Sequence, residues 1–241
     1  MIELENVRKR FVSQTAVDRL NLTVTPGEVF GFIGPNGAGK TTTIRMIAGV
    51  LMPTEGRIRI CGWDMAETPI EAKRRIGFIP DRPYLYEKLT ATELLQFIAD
   101  IYGVDAETGR RRAGELLERF RLSSRATERI EAFSHGMKQR LVMCAALLHD
   151  PEVIVVDEPM VGLDPQGIKM VRDLFRSLAE DGKTVFLSTH TLRLAQDICH
   201  RIGIIHQGRL LALGTMNELE RMAGVSEADL EQVFFQLTES Q

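Results

Sequence analysis

Apolar and polar side chains alternate with period two in two stretches near the start of the chain. Ile2-Glu3-Leu4-Glu5 is the first, and Leu20-Asn21-Leu22-Thr23-Val24-Thr25, closed by a Pro26-Gly27 turn, is the second. Both predict strands with one buried face. Val29-Phe30-Gly31-Phe32-Ile33 is apolar throughout, as a strand buried on both faces would be. The period then changes: Ile44, Ile47 and Ala48 share one face of a helix that begins near Thr41. Arg57-Ile58-Arg59-Ile60 alternates again, and a strand pair is expected to bracket Glu55-Gly56. From about Tyr84 to His149 helical spacing dominates, as in Leu94, Leu95, Ile98 and Ile101. Beyond it come Val153–Val156, a helix through Ile168–Leu178, Thr184–Ser188, and a helix after His190. That rhythm predicts βαβ units and a mostly parallel sheet, with the helical block inserted into an α/β core.

Composition narrows the picture without deciding it. A chain of 241 residues with 44% apolar and 26% charged residues can bury a core without staples. The net charge of −3 gives no general attraction to nucleic acid or anionic membranes. Cys61, Cys144 and Cys199 lack metal spacing, and Cys199-His200 has no second pair, so reduced thiols are expected. Arg110-Arg111-Arg112 reads as a solvated helix face. No apolar run approaches the ~18 residues that span a bilayer. The start carries Glu3, Glu5, Arg8 and Lys9 rather than a leader. Work at a membrane would therefore require a partner to hold the chain there.

Four constellations carry chemistry. Gly34-Pro35-Asn36-Gly37-Ala38-Gly39-Lys40-Thr41 spells G-x-x-x-x-G-K-T between a buried strand and a helix start. Glycines let backbone N–H groups turn inward, and the helix N-terminus adds partial positive charge. Lys40 suits the β- and γ-phosphates of a nucleoside triphosphate, and the Thr41 hydroxyl suits Mg²⁺. Val153-Ile154-Val155-Val156 delivers Asp157 and Glu158 at the end of a strand, where open parallel sheets place ligands. Asp157 suits Mg²⁺, and Glu158 suits a base that polarises water. Thr184–Ser188 likewise ends at Thr189-His190, where an imidazole can sense a γ-phosphate. Finally, Ser134 in Phe133-Ser134-His135-Gly136-Met137-Lys138-Gln139-Arg140 is either an ordinary helix cap or, with Gly136, a second anion-binding end. In the second case two molecules facing head to tail would complete each site.

Taken together, these motifs resemble the ATP-binding subunit of ATP-binding cassette (ABC) transporters over nearly the whole chain. The resemblance implies a RecA-like P-loop core with an antiparallel β subdomain in 1–84 and 150–241, and a helical signature lobe over 85–149, within one domain of 1–241. It implies ATP and Mg²⁺, a phosphate loop over Gly34–Thr42, a Mg²⁺ aspartate at Asp157, a catalytic glutamate at Glu158 and a switch histidine at His190. Gly162-Leu163-Asp164 resembles the D-loop, and Phe11 falls where the family stacks adenine, although alone it reads as a core residue. Two positions depart from the family. His135 replaces a signature glycine, which puts the loop shape in question, while Ser134 and Gly136 are kept. Asp81 replaces the Q-loop glutamine; it can offer oxygen to Mg²⁺ but has no amide N–H to donate, so slower or pH-sensitive hydrolysis is expected.

The expected partners are an integral-membrane permease, which places the chain at the cytoplasmic face of the membrane, and a second cassette chain. Tyr84, Leu85 and Tyr86 suit either a permease groove or the interior of the lobe. The S-H-G-M-K-Q-R form, the Pro80–Tyr86 segment and the short stretch beyond His190 resemble bacterial drug, antibiotic and lipid exporters. The alternative is a soluble ABC ATPase acting on nucleic acid or ribosomes. Such proteins tend to carry two cassettes, a coiled-coil insertion or a basic tail, so no nucleic-acid partner is expected here.

Overall fold

The computed structural model describes residues 1–160, 163–225 and 229–239. In chain order the strands are β1 (Ile2–Arg10), β2 (Thr15–Val24), β3 (Val29–Ile33), β4 (Glu55–Ile60), β5 (Trp63–Asp64), β6 (Ile76–Ile79), β7 (Val153–Asp157), β8 (Thr184–Thr189), β9 (Arg201–His206) and β10 (Arg209–Gly214). The helices are α1 (Lys40–Ile47), α2 (Pro69–Arg74), α3 (Ala91–Tyr102), α4 (Ala106–Arg119), α5 (His135–Leu147), α6 (Pro165–Glu180), α7 (Leu192–Ile198), α8 (Met216–Ala223) and α9 (Leu230–Glu239).

Two sheets organise the molecule. The larger runs β10-β9-β3-β8-β7-β6 and is parallel except for its β10 edge; the smaller, β2-β1-β4-β5, is antiparallel. Successive residues of the central strands point to opposite faces. Phe30, Phe32, Val153, Val155 and Phe186 join the cluster that holds α1 and the antiparallel sheet. Val29, Ile154, Val156, Val185 and Leu187 join the opposite cluster, packed under α3, α4, α5 and α6. Both faces of β3, β7 and β8 are therefore buried, which is why these strands read as unbroken apolar runs. Each such side chain contributes about 1.5–3 kcal/mol by leaving water.

The strand order sets the chemistry. β8 lies between β3 and β7, with Thr189 beside Ile33 and Ser188 beside Asp157. The residues that follow Ile33, Asp157 and Thr189 thus emerge side by side at the C-terminal end of these parallel strands.

One expectation fails locally. Glu55-Gly56 is not a turn between strands; both residues lie within β4. Gly56 has φ 87° where the β1–β4 register shifts, and a Cβ there would strike the Asn6 carbonyl. The hairpin turn lies instead at Cys61-Gly62, between β4 and β5. Ile101 lies in a helix as its spacing predicts, and it is 60% exposed near the end of α3.

Candidate functional site

The loop leaving β3 turns into α1 at Gly39, which has φ 109° and passes so close to the Ala16 carbonyl that no Cβ fits. Thr43 is the first residue whose N–H finds a helical acceptor, Gly39 O at 2.9 Å. The N–H groups of Lys40, Thr41 and Thr42 are thus left without intrahelical partners, and no acidic residue sits in the first turn. Such an end favours an anion. Lys40 is 7% exposed, and its Nζ donates to Gly34 O at 2.6 Å and Pro35 O at 3.1 Å. Burial pulls its pKa down, while the charges of Glu158 and Asp157 push it up.

At the tip of β7, Asp157 is 3% exposed. Burial holds its carboxyl above the ordinary range; the Ser188 and Thr41 hydroxyls oppose this, and the charges of Asp81 and Glu158 add to it. Asp157 Oδ1 is buried without a hydrogen-bond partner. An orphaned oxygen on a carboxyl that the Thr41 hydroxyl also influences fits Mg²⁺, which takes one or two carboxylates and completes its shell with phosphate and water. Among the described residues no group of three His, Cys, Asp or Glu side chains is placed to hold a metal by itself.

Glu158 adopts φ 49°, a conformation that costs a non-glycine residue energy and recurs where a side chain must be aimed. Its N–H donates to Ser188 O at 3.0 Å, which anchors it to β8. Thr189 Oγ1 donates to Oε2 at 3.3 Å, and His190 Nδ1 lies 2.8 Å from Oε1.

One cavity of about 480 Å³ gathers Phe11, Lys40, Thr41, Thr42, Glu158 and His190, together with Asn36, Gly37 and Gly39 of the loop. Gly34, Pro35 and Ala38 do not line it; the first two supply carbonyls to Lys40, and Ala38 is buried, with its N–H on Pro35 O at 3.2 Å. Phe11 is 49% exposed at the rim, which overturns its reading as a core residue; Lys9 Nζ lies over its ring, 5.5 Å from the centroid. Gln14 and Ala16 also line the cavity and escaped the sequence reading.

Ser134 and Gly136 are not in this cavity. Ser134 caps α5, its Oγ accepting from Met137 N at 3.3 Å. His135 is simply the first helical residue of α5, so the position makes no demand for glycine's freedom. Asp81 lines a second cavity of about 580 Å³ with His135, Lys138 and Glu158, so Glu158 forms part of both cavities. Of the D-loop stretch, Gly162 lies outside the described residues, and Asp164 caps α6 through Gly167 N at 2.8 Å. Tyr84 and Tyr86 are 79% and 63% exposed, so they do not fill the lobe, whereas Leu85 packs against its core.

A family profile described as ABC transporter matches residues 17–161. The chain belongs to the ABC transporter family. This ABC ATPase is 40% identical to the linearmycin resistance ATP-binding protein LnrL of Bacillus subtilis, over 93% of this chain and 72% of that protein. It is 41% identical to Nod factor export ATP-binding protein I of Paraburkholderia xenovorans, over 90% of this chain and 72% of that one. Among solved structures, an ATP-binding subunit of an ABC transporter superposes with TM-score 0.94 at 35% identity, covering 99% of each chain. The cassette MJ0796, dimeric and bound to ADP and Pi after hydrolysis, superposes with TM-score 0.82 at 28% identity, over 90% of this chain and 99% of that one. The chain is thus an ATP-binding, ATP-hydrolysing cassette of the transporter family, with the α/β architecture that its motifs implied. ABC ATPases of this family work with membrane permeases. Among the described residues no helix is long and apolar enough to cross a membrane.

Proposed function

We propose that this ABC ATPase is the motor subunit of an exporter, bound to a separate permease at the cytoplasmic face of the membrane. The observation that carries the assignment of roles is that Lys40, the free α1 N-terminus, Glu158 and His190 share one cavity at the C-terminal ends of the parallel strands. Phe11 stacks adenine. Lys40 leaves its two carbonyl partners for the β- and γ-phosphates, and the N–H groups of the α1 end hold the phosphate oxygens. Thr41 and Asp157, with Asp81 nearby, hold Mg²⁺, which supplies charge neutralisation on the phosphates. Glu158 accepts a proton from the attacking water, and His190, already 2.8 Å from it, orients that carboxylate and senses the γ-phosphate.

Ser134 and Gly136 act on the nucleotide of a second cassette chain, since their helix end lies outside this chain's own cavity. The dimeric state of MJ0796 supports that arrangement. ATP binding closes the pair and hydrolysis reopens it, and the permease converts this cycle into transport. Relatives named for linearmycin resistance and Nod factor export support the outward direction. The test is ATP turnover by wild type and Glu158→Gln, with oligomeric state read in Mg²⁺-ATP. The expected result is a loss of at least about 10²-fold and a trapped ATP-bound dimer. A variant as fast as wild type removes Glu158 from the base role.

A further inference from the structure

We infer that Asp81 makes this site select magnesium-loaded nucleotide over the bare polyanion. The inference rests on the ATP site proposed above.

Three carboxylates, Asp81, Asp157 and Glu158, stand close enough for Asp157 to feel the charges of the other two. Asp81 and Glu158 line one cavity, and Glu158 also lines the nucleotide cavity with Lys40. Asp157, 3% exposed, sits between β6 and β8 with Oδ1 unpartnered, and it feels the charges of both other carboxylates. Against these stands Lys40, the one cationic side chain lining the nucleotide cavity among the described residues. Lys138 faces Asp81 across the second cavity but is already paired with Glu87. Arg82 lines that cavity too and is exposed.

A glutamine at position 81, the residue this family usually carries, would remove one negative charge from the site. The three acids are not placed to capture a divalent ion on their own. Beyond Lys40, their charge is offset when the cation arrives with the nucleotide. For a metal-free diphosphate or triphosphate, Asp81 is a repulsive charge in a partly buried setting, where screening by water is weak. For the magnesium complex, the same carboxylate is neutral in effect or attractive. Asp81 thus widens the affinity gap between the two forms. It acts on specificity, and bond breaking does not require it.

The test measures ADP binding by calorimetry, with excess Mg²⁺ and with EDTA, for wild type, Asp81→Asn and Asp81→Gln. ADP avoids turnover during the measurement. Each protein is compared with itself, so a general loss of stability cancels from the ratio of the two affinities. The expected ratio is about tenfold larger in wild type than in either variant, and the two uncharged variants agree with each other. Equal ratios in all three proteins overturn the inference. A change in Asp81→Gln that Asp81→Asn does not share overturns it as well, because shape and not charge would then be responsible. The underlying site is checked separately with Lys40→Ala. If that variant binds ADP as wild type does under both conditions, the ATP site itself is misassigned, whatever Asp81 does.

Discussion

Burying the Asp157 carboxylate at the tip of a wholly apolar strand works against the folded chain. Its pKa is raised, chiefly by burial, so the charged form is better solvated in the unfolded chain than in the folded one. The penalty is fully present above the raised folded pKa and vanishes as pH falls below the ordinary carboxylate value of about 3.9. Asp157→Asn keeps the shape and removes the charge. It should raise the melting temperature of the nucleotide-free chain at pH 7 by about 2 °C and abolish Mg²⁺-ATP turnover. Thermal melts at pH 7 and pH 4 check this, with the gain expected to shrink at the lower pH. A variant that melts lower than wild type at pH 7 would show that Asp157 stabilises the fold. Asp157, Lys40 and Glu158 were legible in the sequence because their neighbours announce them: a glycine loop, an apolar strand, a helix start. Gln14 and Ala16 were not. Gln14 follows Phe11 in the turn between β1 and β2, where Phe11 N donates to Gln14 O at 2.8 Å, and Ala16 lies just inside β2; only the stacking of the two sheets brings them to the phosphate loop.

Helix α5 shows how one element can carry two meanings that sequence does not separate. Ser134 caps it, and an exposed cap of this kind contributes about 1 kcal/mol. The same helix end is the one proposed to face the nucleotide of a second chain. Ser134→Asp distinguishes the roles, because aspartate caps as well as serine but puts a negative charge at the anion-binding end. We expect a melting temperature near that of wild type and turnover reduced at least about tenfold, since a lost or repulsive phosphate contact costs more than 1.4 kcal/mol. Melting and phosphate release on the same preparation decide it; unchanged turnover would confine Ser134 to capping. Periodicity located the strands flanking the loop and the helical block because burial on two faces or on one stripe leaves a period in the sequence. It misplaced the Glu55-Gly56 turn because a glycine at φ 87° in a bulge and a glycine in a hairpin look alike in sequence.

Beside the apolar cluster that packs the helical block onto the sheet, one ring bridges the junction. His149 follows α5 and precedes β7. It stacks on Tyr102, the last residue of α3, with centroids 3.7 Å apart and planes 14° apart. Its Nε2 lies 3.1 Å from Ile76 O at the start of β6, so a single imidazole touches both layers. Burial pushes its pKa down to about 4; the Ile76 carbonyl and Asp150 pull upward, and Lys183 and Arg112 push further down. The folded chain therefore resists protonation that the unfolded chain accepts at its usual pKa of about 6.5. Stability from this group is complete above that value and is lost as pH falls toward 4, at up to about 1.4 kcal/mol per pH unit. Asp150, whose pKa is lowered by Lys183, loses its own contribution only below the ordinary carboxylate range, and so outside this window. His149→Phe retains an aromatic face for Tyr102 and removes the titration, while the Ile76 carbonyl loses its partner at a cost of about 1 kcal/mol. The variant should therefore melt slightly below wild type at pH 7.5 and lose less between pH 6.5 and 4.5, so that the two melting curves converge or cross. Parallel melting curves across that range would place the acid sensitivity elsewhere and leave the junction held by packing alone.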